Sequence, residues 1–302
     1  MKIATNLFIA LLLLSCLVTG CKKEGKLTPS EEKEGVYGDH TLPQGNHPYD
    51  ADILQLFQKY QTLFLYKYVP HDLYYNINYY LGGVYDPVKD STTKHGYFDV
   101  PAKEAYVGKQ LDMLKDIWLK YYPDALLKQA LPKQVYLLDS LYYAYNGPGK
   151  PLDNWPSFLD FYQGPDYFAV SYGGTYLDNI TAAEKYALKS QLHTATLMLA
   201  RLKGAIKPTA AFAAVTNYST LVWNNYYPQG ALGYWLLDAG KDLDLYMKAI
   251  VSNSYAELTA PGGILHPAVD TKGLIKKKYD MVIAYFQSTF GIDLQAIGNA
   301  GK

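Results

Sequence analysis

Arginine is almost absent from this chain: of the 28 basic residues among its 302 positions, only Arg201 carries a guanidinium group. Arginine is the side chain best suited to bind phosphates and base edges with paired hydrogen bonds, because its planar fork matches both. The 28 acidic residues balance the basic ones, so the chain offers a polyanion no net positive field. We therefore expect no nucleic-acid partner.

Cysteine is also scarce, and the apolar run near the start is short. The run from Leu7 to Val18 has about 12 residues where a membrane-spanning helix needs about 20, so it predicts a secretory signal. It leads into Leu17-Val18-Thr19-Gly20-Cys21, which matches the bacterial lipobox, and we expect cleavage before Cys21 and acylation of its thiol. Cys16 leaves with the signal, which excludes an intramolecular disulfide in the mature chain.

These features predict three segments: a lipoprotein signal peptide over 1–20, a flexible tether over 21–50 and a folded domain over 51–302. The tether is rich in Lys, Glu, Gly and Pro, which is typical of a solvated linker. Several acyl chains on Cys21 would anchor the protein stably. We expect a lipid anchor in the outer membrane. The sequence does not decide whether the domain lies on the periplasmic face or on the cell-surface face.

The body of the chain has the composition of a globular protein, with 49% hydrophobic and 19% charged residues. Apolar spacings of three and four predict helices from residue 52, over 101–122, 181–203, 242–251 and 270–290, and dense Val, Leu and Tyr predict strands over 65–70, 134–145 and 167–172. There is no internal repeat. The expected fold class is a single α+β domain, mostly helical with a small mixed sheet.

Three local signals define helix ends and faces. Thr181 and Glu184 have the spacing of a capping box, and Gly204 is placed to end the same helix. Asp99 and Pro101 predict the cap and first turn of another helix. The run Lys276-Lys277-Lys278 predicts a solvated face of the last helix.

Tyrosine is abundant, with 31 residues against 10 phenylalanines and 4 tryptophans. The aromatic residues are clustered, at Tyr74, Tyr75, Tyr79 and Tyr80, at Tyr142, Tyr143 and Tyr145, and at Trp223, Tyr226 and Tyr227. Neighbours in a strand face opposite sides, so some of these rings should be exposed or line a cleft. Rings beside Asn224 and Asn225 would suit sugar stacking or a partner interface; the alternative is that tyrosine replaces phenylalanine in half-buried positions.

Short sequence pieces along most of 51–296 occur in the order and spacing of one family. They are Phe64–Tyr68, Lys115–Leu119, the helix around His193, Gly233–Trp235 ahead of Asp242, and Tyr279 through Leu294. In these pieces the chain resembles the zinc-binding metallopeptidase lipoproteins of Bacteroidota. The resemblance implies a zincin-like metallopeptidase fold, in which a helix carries His-Glu-x-x-His and a downstream glutamate completes a zinc site. It also implies a setting beside glycan- or peptide-uptake machinery.

The catalytic motif of that family is degenerate here. Two histidines four residues apart can reach one zinc ion from adjacent turns while the glutamate polarises its water. The corresponding run is His193-Thr194-Ala195-Thr196-Leu197, and Leu245 stands where the resemblance implies the downstream ligand. Thr194 cannot act as a carboxylate base, and Leu197 offers no lone pair. We therefore expect neither a zinc cofactor nor peptidase activity, although the fold should be kept.

Three functions remain open. The favoured one is a non-catalytic lipoprotein whose former cleft binds a peptide or glycan ligand or an uptake partner. The second is an active zinc peptidase with a rearranged site, which requires His193, Asp242 and Asp244 to lie within about 2 Å of one ion. The third is a glycan-binding surface lipoprotein that uses Trp223, Asn224, Tyr226 and Tyr227. The most informative observation for these hypotheses is whether His193 points into an open cleft or into packed core.

Overall fold

The computed structural model describes residues 40–69, 72–73, 77–78, 96–144 and 157–301. The expected signal peptide, Cys21 and the tether up to residue 39 lie outside these ranges, as do Tyr145 and the tyrosines at 74, 75, 79 and 80. The stretch Gly38–Lys302 forms one unit. Within the described ranges no helix has the length and apolar character needed to cross a bilayer.

The described residues fold as an α+β domain, as the sequence predicted. Its α-helices are α1 (Pro48–Tyr60), α2 (Glu104–Ile117), α3 (Asp124–Ala130), α4 (Ala182–Leu202), α5 (Ala210–Ala214), α6 (Ala239–Val251), α7 (Tyr255–Thr259), α8 (Leu274–Phe290) and α9 (Leu294–Asn299). Its strands are β1 (Leu63–Leu65), β2 (Gly96–Pro101), β3 (Gln134–Ala144), β4 (Ser157–Leu159), β5 (Phe161–Gln163) and β6 (Tyr167–Val170).

The sheet is mixed and is organised around β3. The first half of β3 pairs in parallel with β1 and β6, and its second half pairs antiparallel with β2 and β4, while β5 pairs antiparallel with β6. Successive side chains of β3 point to opposite faces. Val135 and Leu137 belong to the core that includes the helices, whereas Tyr136 and Leu138 belong to a second, smaller cluster on the other face.

The domain begins earlier than the sequence predicted. Helix α1 starts at Pro48, and the Asp50 carboxylate accepts a hydrogen bond of 2.8 Å from the backbone N–H of His47 and another of 2.8 Å from the Tyr66 hydroxyl. Leu42 packs against the core. The predicted boundary after residue 50 therefore falls inside α1, because polar residues before it make specific contacts with the domain.

The segment at 96–101 is a strand and not a helix start, so the predicted cap at Asp99 and first turn at Pro101 were wrong. Residues 96–101 pair with β3, and the chain then continues with the Ala102 N–H donating to the Leu137 carbonyl at 3.0 Å. Helix α2 begins only at Glu104. Pairing with a long buried strand outweighs a local cap signal, since it satisfies several backbone groups at once.

Helix α4 is the longest described helix and was predicted closely. The Thr181 hydroxyl accepts from the Glu184 N–H at 3.2 Å, and the Glu184 carboxylate accepts from the Thr181 N–H at 2.8 Å, which is a complete capping box. The helix ends at Leu202, and Gly204 takes the left-handed conformation with φ of 81°. Because α4 contacts β5, α3 and α6, its central residues lie in the middle of the domain.

Candidate functional site

His193 lies in the middle of α4, and its side chain is fully buried. Its Nε2 atom is 3.0 Å from the carbonyl oxygen of Ile117, and its Nδ1 atom is 2.6 Å from the hydroxyl of Tyr122. A carbonyl can only accept, so Nε2 carries the proton and donates to Ile117, which leaves Nδ1 to accept from Tyr122. Both ring nitrogens of His193 are therefore occupied by protein partners.

The electrostatics of this site keep the imidazole neutral. The pKa of His193 is lowered from 6.5 to about 3, chiefly by burial and also by the charge of nearby Lys189, against the opposing effect of the hydrogen bond to Ile117. Burial also raises the pKa of Tyr122 well above its usual value, so its hydroxyl keeps the proton it donates. The ring of Tyr121 packs edge-on at 5.2 Å. His193 thus faces packed core and not an open cleft.

The neighbouring residues Thr194 and Leu197 do not fit a zinc ion. Leu197 is fully buried, and Thr194 lines a shallow depression of about 240 Å³ between α4, α6 and β5. The described residues that line this depression include Phe161, Gln163 and Lys248 but no His, Cys, Asp or Glu. With no free imidazole nitrogen and no carboxylate at this point, these residues offer zinc none of the ligands it prefers.

Asp242 lies at the start of α6 and is also fully buried. Its Oδ2 atom accepts from the Lys278 amine and, at 3.0 Å, from the Tyr218 hydroxyl, while Oδ1 accepts from the Leu232 N–H at 3.1 Å. The carboxylate is therefore satisfied by an ion pair and two further hydrogen bonds, which is how a buried charge is retained in a fold.

Lys278 reaches Asp242 from α8 and has no exposed surface, so the predicted solvated face was wrong at this position. Its amine also donates to Thr216 at 3.0 Å and lies 4.0 Å from the centre of the Phe212 ring. Burial lowers the pKa of Lys278, and the Asp242 charge opposes this effect. The sequence already contained the pattern that indicates burial of Lys278. This residue has the helical spacing of one buried face together with Ile275 and Val282.

Asp244 binds the single arginine of the chain. Its two carboxylate oxygens accept from Nε and Nη2 of Arg201 at 2.6 and 2.5 Å, so the pair is bidentate. Burial raises the pKa of Asp244, and the guanidinium group opposes this shift. The pair joins α4 to α6, which gives Asp244 a structural contact in place of the predicted metal contact.

His193, Asp242 and Asp244 were the candidate ligands of a rearranged metal site. Each is bound to a different protein group: the imidazole to Ile117 and Tyr122, and the two carboxylates to Lys278 and Arg201. Within the described ranges, no group of three His, Cys, Asp or Glu residues is placed to hold a metal ion. The described residues thus provide no assembled donor set for a rearranged zinc peptidase.

The predicted aromatic cluster lies on a surface segment, residues 217–238, which we call the aromatic loop. Trp223 is 72% exposed, and Asn224 is exposed beside it. Tyr226 and Tyr227 are half-buried and pack against each other with ring centres 4.3 Å apart. Of the four predicted residues, two are therefore exposed at the tip of the loop, and the other two are half-buried beneath it.

Sequence reasoning missed the second half of this surface. Trp235 and Leu236 are 78% and 74% exposed, and Tyr234, next to them, packs 5.8 Å from Tyr226. That ring contact joins the turn of Trp223 to the turn of Trp235. The sequence did contain a sign of this surface, the apolar run Trp235-Leu236-Leu237. The run lies directly before Asp238, which caps α6 by accepting from the Lys241 N–H at 2.8 Å.

The aromatic loop is held by hydrogen bonds at both its tip and its base. At the tip, the Asn225 side chain accepts from the Val222 N–H at 2.8 Å and donates to the Thr220 carbonyl at 3.0 Å. At the base, the Tyr246 hydroxyl donates to the Gly230 carbonyl at 2.9 Å. Together with the contacts of Asp242, these bonds fix the backbone that presents the exposed rings.

Comparison with known proteins finds a partial structural similarity. No protein-family model and no curated protein matches this chain. A solved structure of a proposed zinc-binding metallo-peptidase from Bacteroides caccae is similar, with a TM-score of 0.48 and 13% sequence identity. The similarity covers 84% of this chain and 89% of that one.

Proposed function

We propose that this chain is a membrane-anchored lipoprotein whose metallopeptidase-like domain is non-catalytic and binds a ligand or partner. The observation that carries the proposal is the hydrogen bonding of His193, whose two ring nitrogens contact Ile117 and Tyr122. An imidazole needs a free nitrogen lone pair to bind zinc, and here the lone pair accepts a hydrogen bond. Thr194 and Leu197 supply neither the base nor the second ligand.

The predicted place of binding, a former cleft at His193, does not fit because His193 lies in packed core. The binding surface in this proposal is the aromatic loop. Exposed tryptophan side chains are unusual on a soluble domain, because they leave a large apolar area in water, and they are enriched at binding surfaces. Trp223 and Trp235 are both exposed at this loop, and the hydrogen bonds of Asn225 hold the tip in place. A surface that is already ordered loses little conformational entropy when it binds.

A glycan ligand is the second candidate function. The observation in its favour is that the exposed amide of Asn224 stands next to the exposed indole of Trp223. A sugar presents an apolar ring face for stacking and hydroxyl groups for hydrogen bonding, so this pair offers both contacts that a sugar needs. A glycan array in which the signal disappears with Trp223→Ala would support this function.

The test of the non-catalytic proposal is the metal content and activity of the mature chain. The protein is incubated with zinc, freed of excess metal and analysed by mass spectrometry, and casein cleavage is measured on the same sample. We expect no more zinc than in the matched variant His193→Gln, and no cleavage. Stoichiometric zinc that is lost with His193→Gln, accompanied by cleavage of casein, would refute the proposal.

A further inference from the structure

The exposed side chains of the aromatic loop are apolar as well as aromatic. Val222, Trp223, Tyr234, Trp235 and Leu236 are all among the exposed large hydrophobic residues of the described chain. They come from two turns that are joined by the contact of Tyr226 with Tyr234. Several adjacent residues of this kind form a patch that ordinary surfaces of monomeric proteins avoid, and such patches mark interaction sites.

Leu236 is exposed in the patch although its backbone has a conformation that leucine disfavours. Its φ of 45° lies in the left-handed region, which leucine rarely adopts. The conformation is held by the Lys241 amine, which donates to the Leu236 carbonyl at 2.8 Å, and it leaves the side chain 74% exposed. The fold therefore keeps an aliphatic side chain projecting into solvent beside Trp235.

The base of the loop is fixed to the interior. The buried pair of Lys278 and Asp242 bonds the Tyr218 hydroxyl and the Leu232 N–H, which flank the turn of Trp223. The turn of Trp235 follows Leu232 and ends at Asp238, which accepts from the Lys241 N–H at 2.8 Å. The tip is thus a preformed projection and not a segment that must fold before it can bind. Its exposed side chains can enter an apolar phase without rearrangement of the backbone.

The chemistry of this projection matches the interfacial region of a bilayer. Tryptophan and tyrosine prefer the boundary between headgroups and acyl chains. A sugar would use the planar rings but would leave Leu236 and Val222 in water. An apolar acceptor uses all five side chains, which favours a lipid surface over a glycan.

We infer that the aromatic loop docks the domain on the surface of a phospholipid bilayer. The inference rests on the proposed function, because the anchor at Cys21 supplies the bilayer. The 18 residues between Cys21 and residue 40 can extend to roughly 65 Å, so an anchored domain stays within reach of the membrane. Tethering raises the local concentration, so even a weak contact of the loop holds this face on the lipid.

The experiment uses residues 21–302 with Cys21→Ser, which removes the acyl chains but keeps the rest of the mature protein. Binding is measured by co-sedimentation with phosphatidylcholine vesicles, and insertion by quenching of tryptophan fluorescence with brominated acyl chains. We expect binding with quenching. Trp235→Ser and Leu236→Asn should each weaken binding about tenfold, because each removes a large apolar side chain from the contact.

Two controls separate a docking effect from misfolding. Asparagine tolerates the left-handed conformation, so Leu236→Asn should leave the unfolding temperature unchanged or higher while it weakens vesicle binding. Phe158→Ser removes a ring that is 70% exposed on β4, outside the loop, and should leave vesicle binding unchanged. Equal weakening by Phe158→Ser would show that any exposed apolar group suffices, and would overturn the inference.

The remaining outcomes are also distinguishable. Absence of vesicle binding overturns membrane docking. If the same protein then binds a polysaccharide, and Trp223→Ala abolishes that binding, the loop is a glycan site and the non-catalytic function stands. Zinc binding with casein cleavage refutes the proposed function and leaves the vesicle result to be judged by itself.

Discussion

His193 is a hydrogen-bonding group of the packed core at the position where the sequence resemblance implies a metal ligand. Its Nε2–H donates to Ile117 and its Nδ1 accepts from Tyr122. A neutral imidazole with both hydrogen bonds satisfied is stable in packed core, whereas an imidazolium ion there would be a buried charge whose Nδ1–H could not accept the bond that Tyr122 donates. The residue is a buried hydrogen-bonding group that ties α4 to the end of α2.

The pH dependence of stability tests this role. The folded-state pKa of His193 is lowered to about 3, so below 6.5 the unfolded chain binds a proton that the folded one does not. Stability should therefore fall as the pH falls from 6.5 towards 3. The amide of His193→Gln does not titrate, so the stability advantage of the wild type over this variant should shrink by about 2 kcal/mol between pH 7 and pH 5.

Urea unfolding at both pH values measures this difference. A constant gap between the wild type and His193→Gln would contradict the assignment of a buried neutral imidazole. An NMR spectrum of the ring nitrogens gives an independent check, since a proton fixed on Nε2 should persist from pH 7 to pH 5.

At the scale of elements, the buried pair of Lys278 and Asp242 joins α8, α6 and the aromatic loop. The pair gains from surrounding groups as well as from its charges: Tyr218 and Thr216 supply hydrogen bonds, and the Phe212 ring lies 4.0 Å from the amine. Two charges without solvent contact are tolerated only in such a fully satisfied setting. The loop is thus anchored by the interior of the domain.

Removal of Lys278 alone should show how strongly the stability of the domain depends on this ion pair. Lys278→Met leaves the Asp242 carboxylate buried without a counter-charge, and we expect a loss of about 3–5 kcal/mol in the free energy of unfolding. The double variant Lys278→Met with Asp242→Leu should recover much of that loss, because no unpaired charge remains. Chemical denaturation of both variants measures this, and equal destabilisation would show that the charge pairing is not the cause.

Local signals in the sequence predicted the elements that depend on local physics. The capping box of Thr181 with Glu184 and the dense apolar run of β3 gave α4 and the central strand to within one or two residues. The failures came where distant residues decide: β2 forms because β3 lies beside it, and Lys278 is buried because Asp242 faces it. The hydrogen bonds of His193 could not be predicted at all, since Ile117 and Tyr122 are far away in sequence.

For the whole molecule, the start of the folded domain bears on the proposed anchor at Cys21. Residues 40–50 already contact the domain, through Leu42 and through the Asp50 carboxylate with its two hydrogen bonds. The folded domain therefore includes residues that the sequence assigned to the tether predicted over 21–50.

Acylation of Cys21 is the prediction at this scale. The wild-type chain, expressed in a bacterium with its signal intact, should partition into the detergent phase and incorporate labelled palmitate. Cys21→Ser should move to the aqueous phase without label, because the acceptor thiol is gone. Cys16→Ser serves as the matched control and should behave as the wild type; loss of label with Cys16→Ser alone would contradict the assignment.

The bidentate contact of Arg201 with Asp244 shields the single guanidinium group of the chain. Since the other 27 basic residues are lysines, a dicarbonyl reagent selective for guanidinium groups has a single target in the entire chain. That target is only 19% exposed and is held by two hydrogen bonds between α4 and α6. The rate of its modification therefore reports how often these two helices separate, which makes the rarest side chain of the protein a natural covalent probe of its breathing motions.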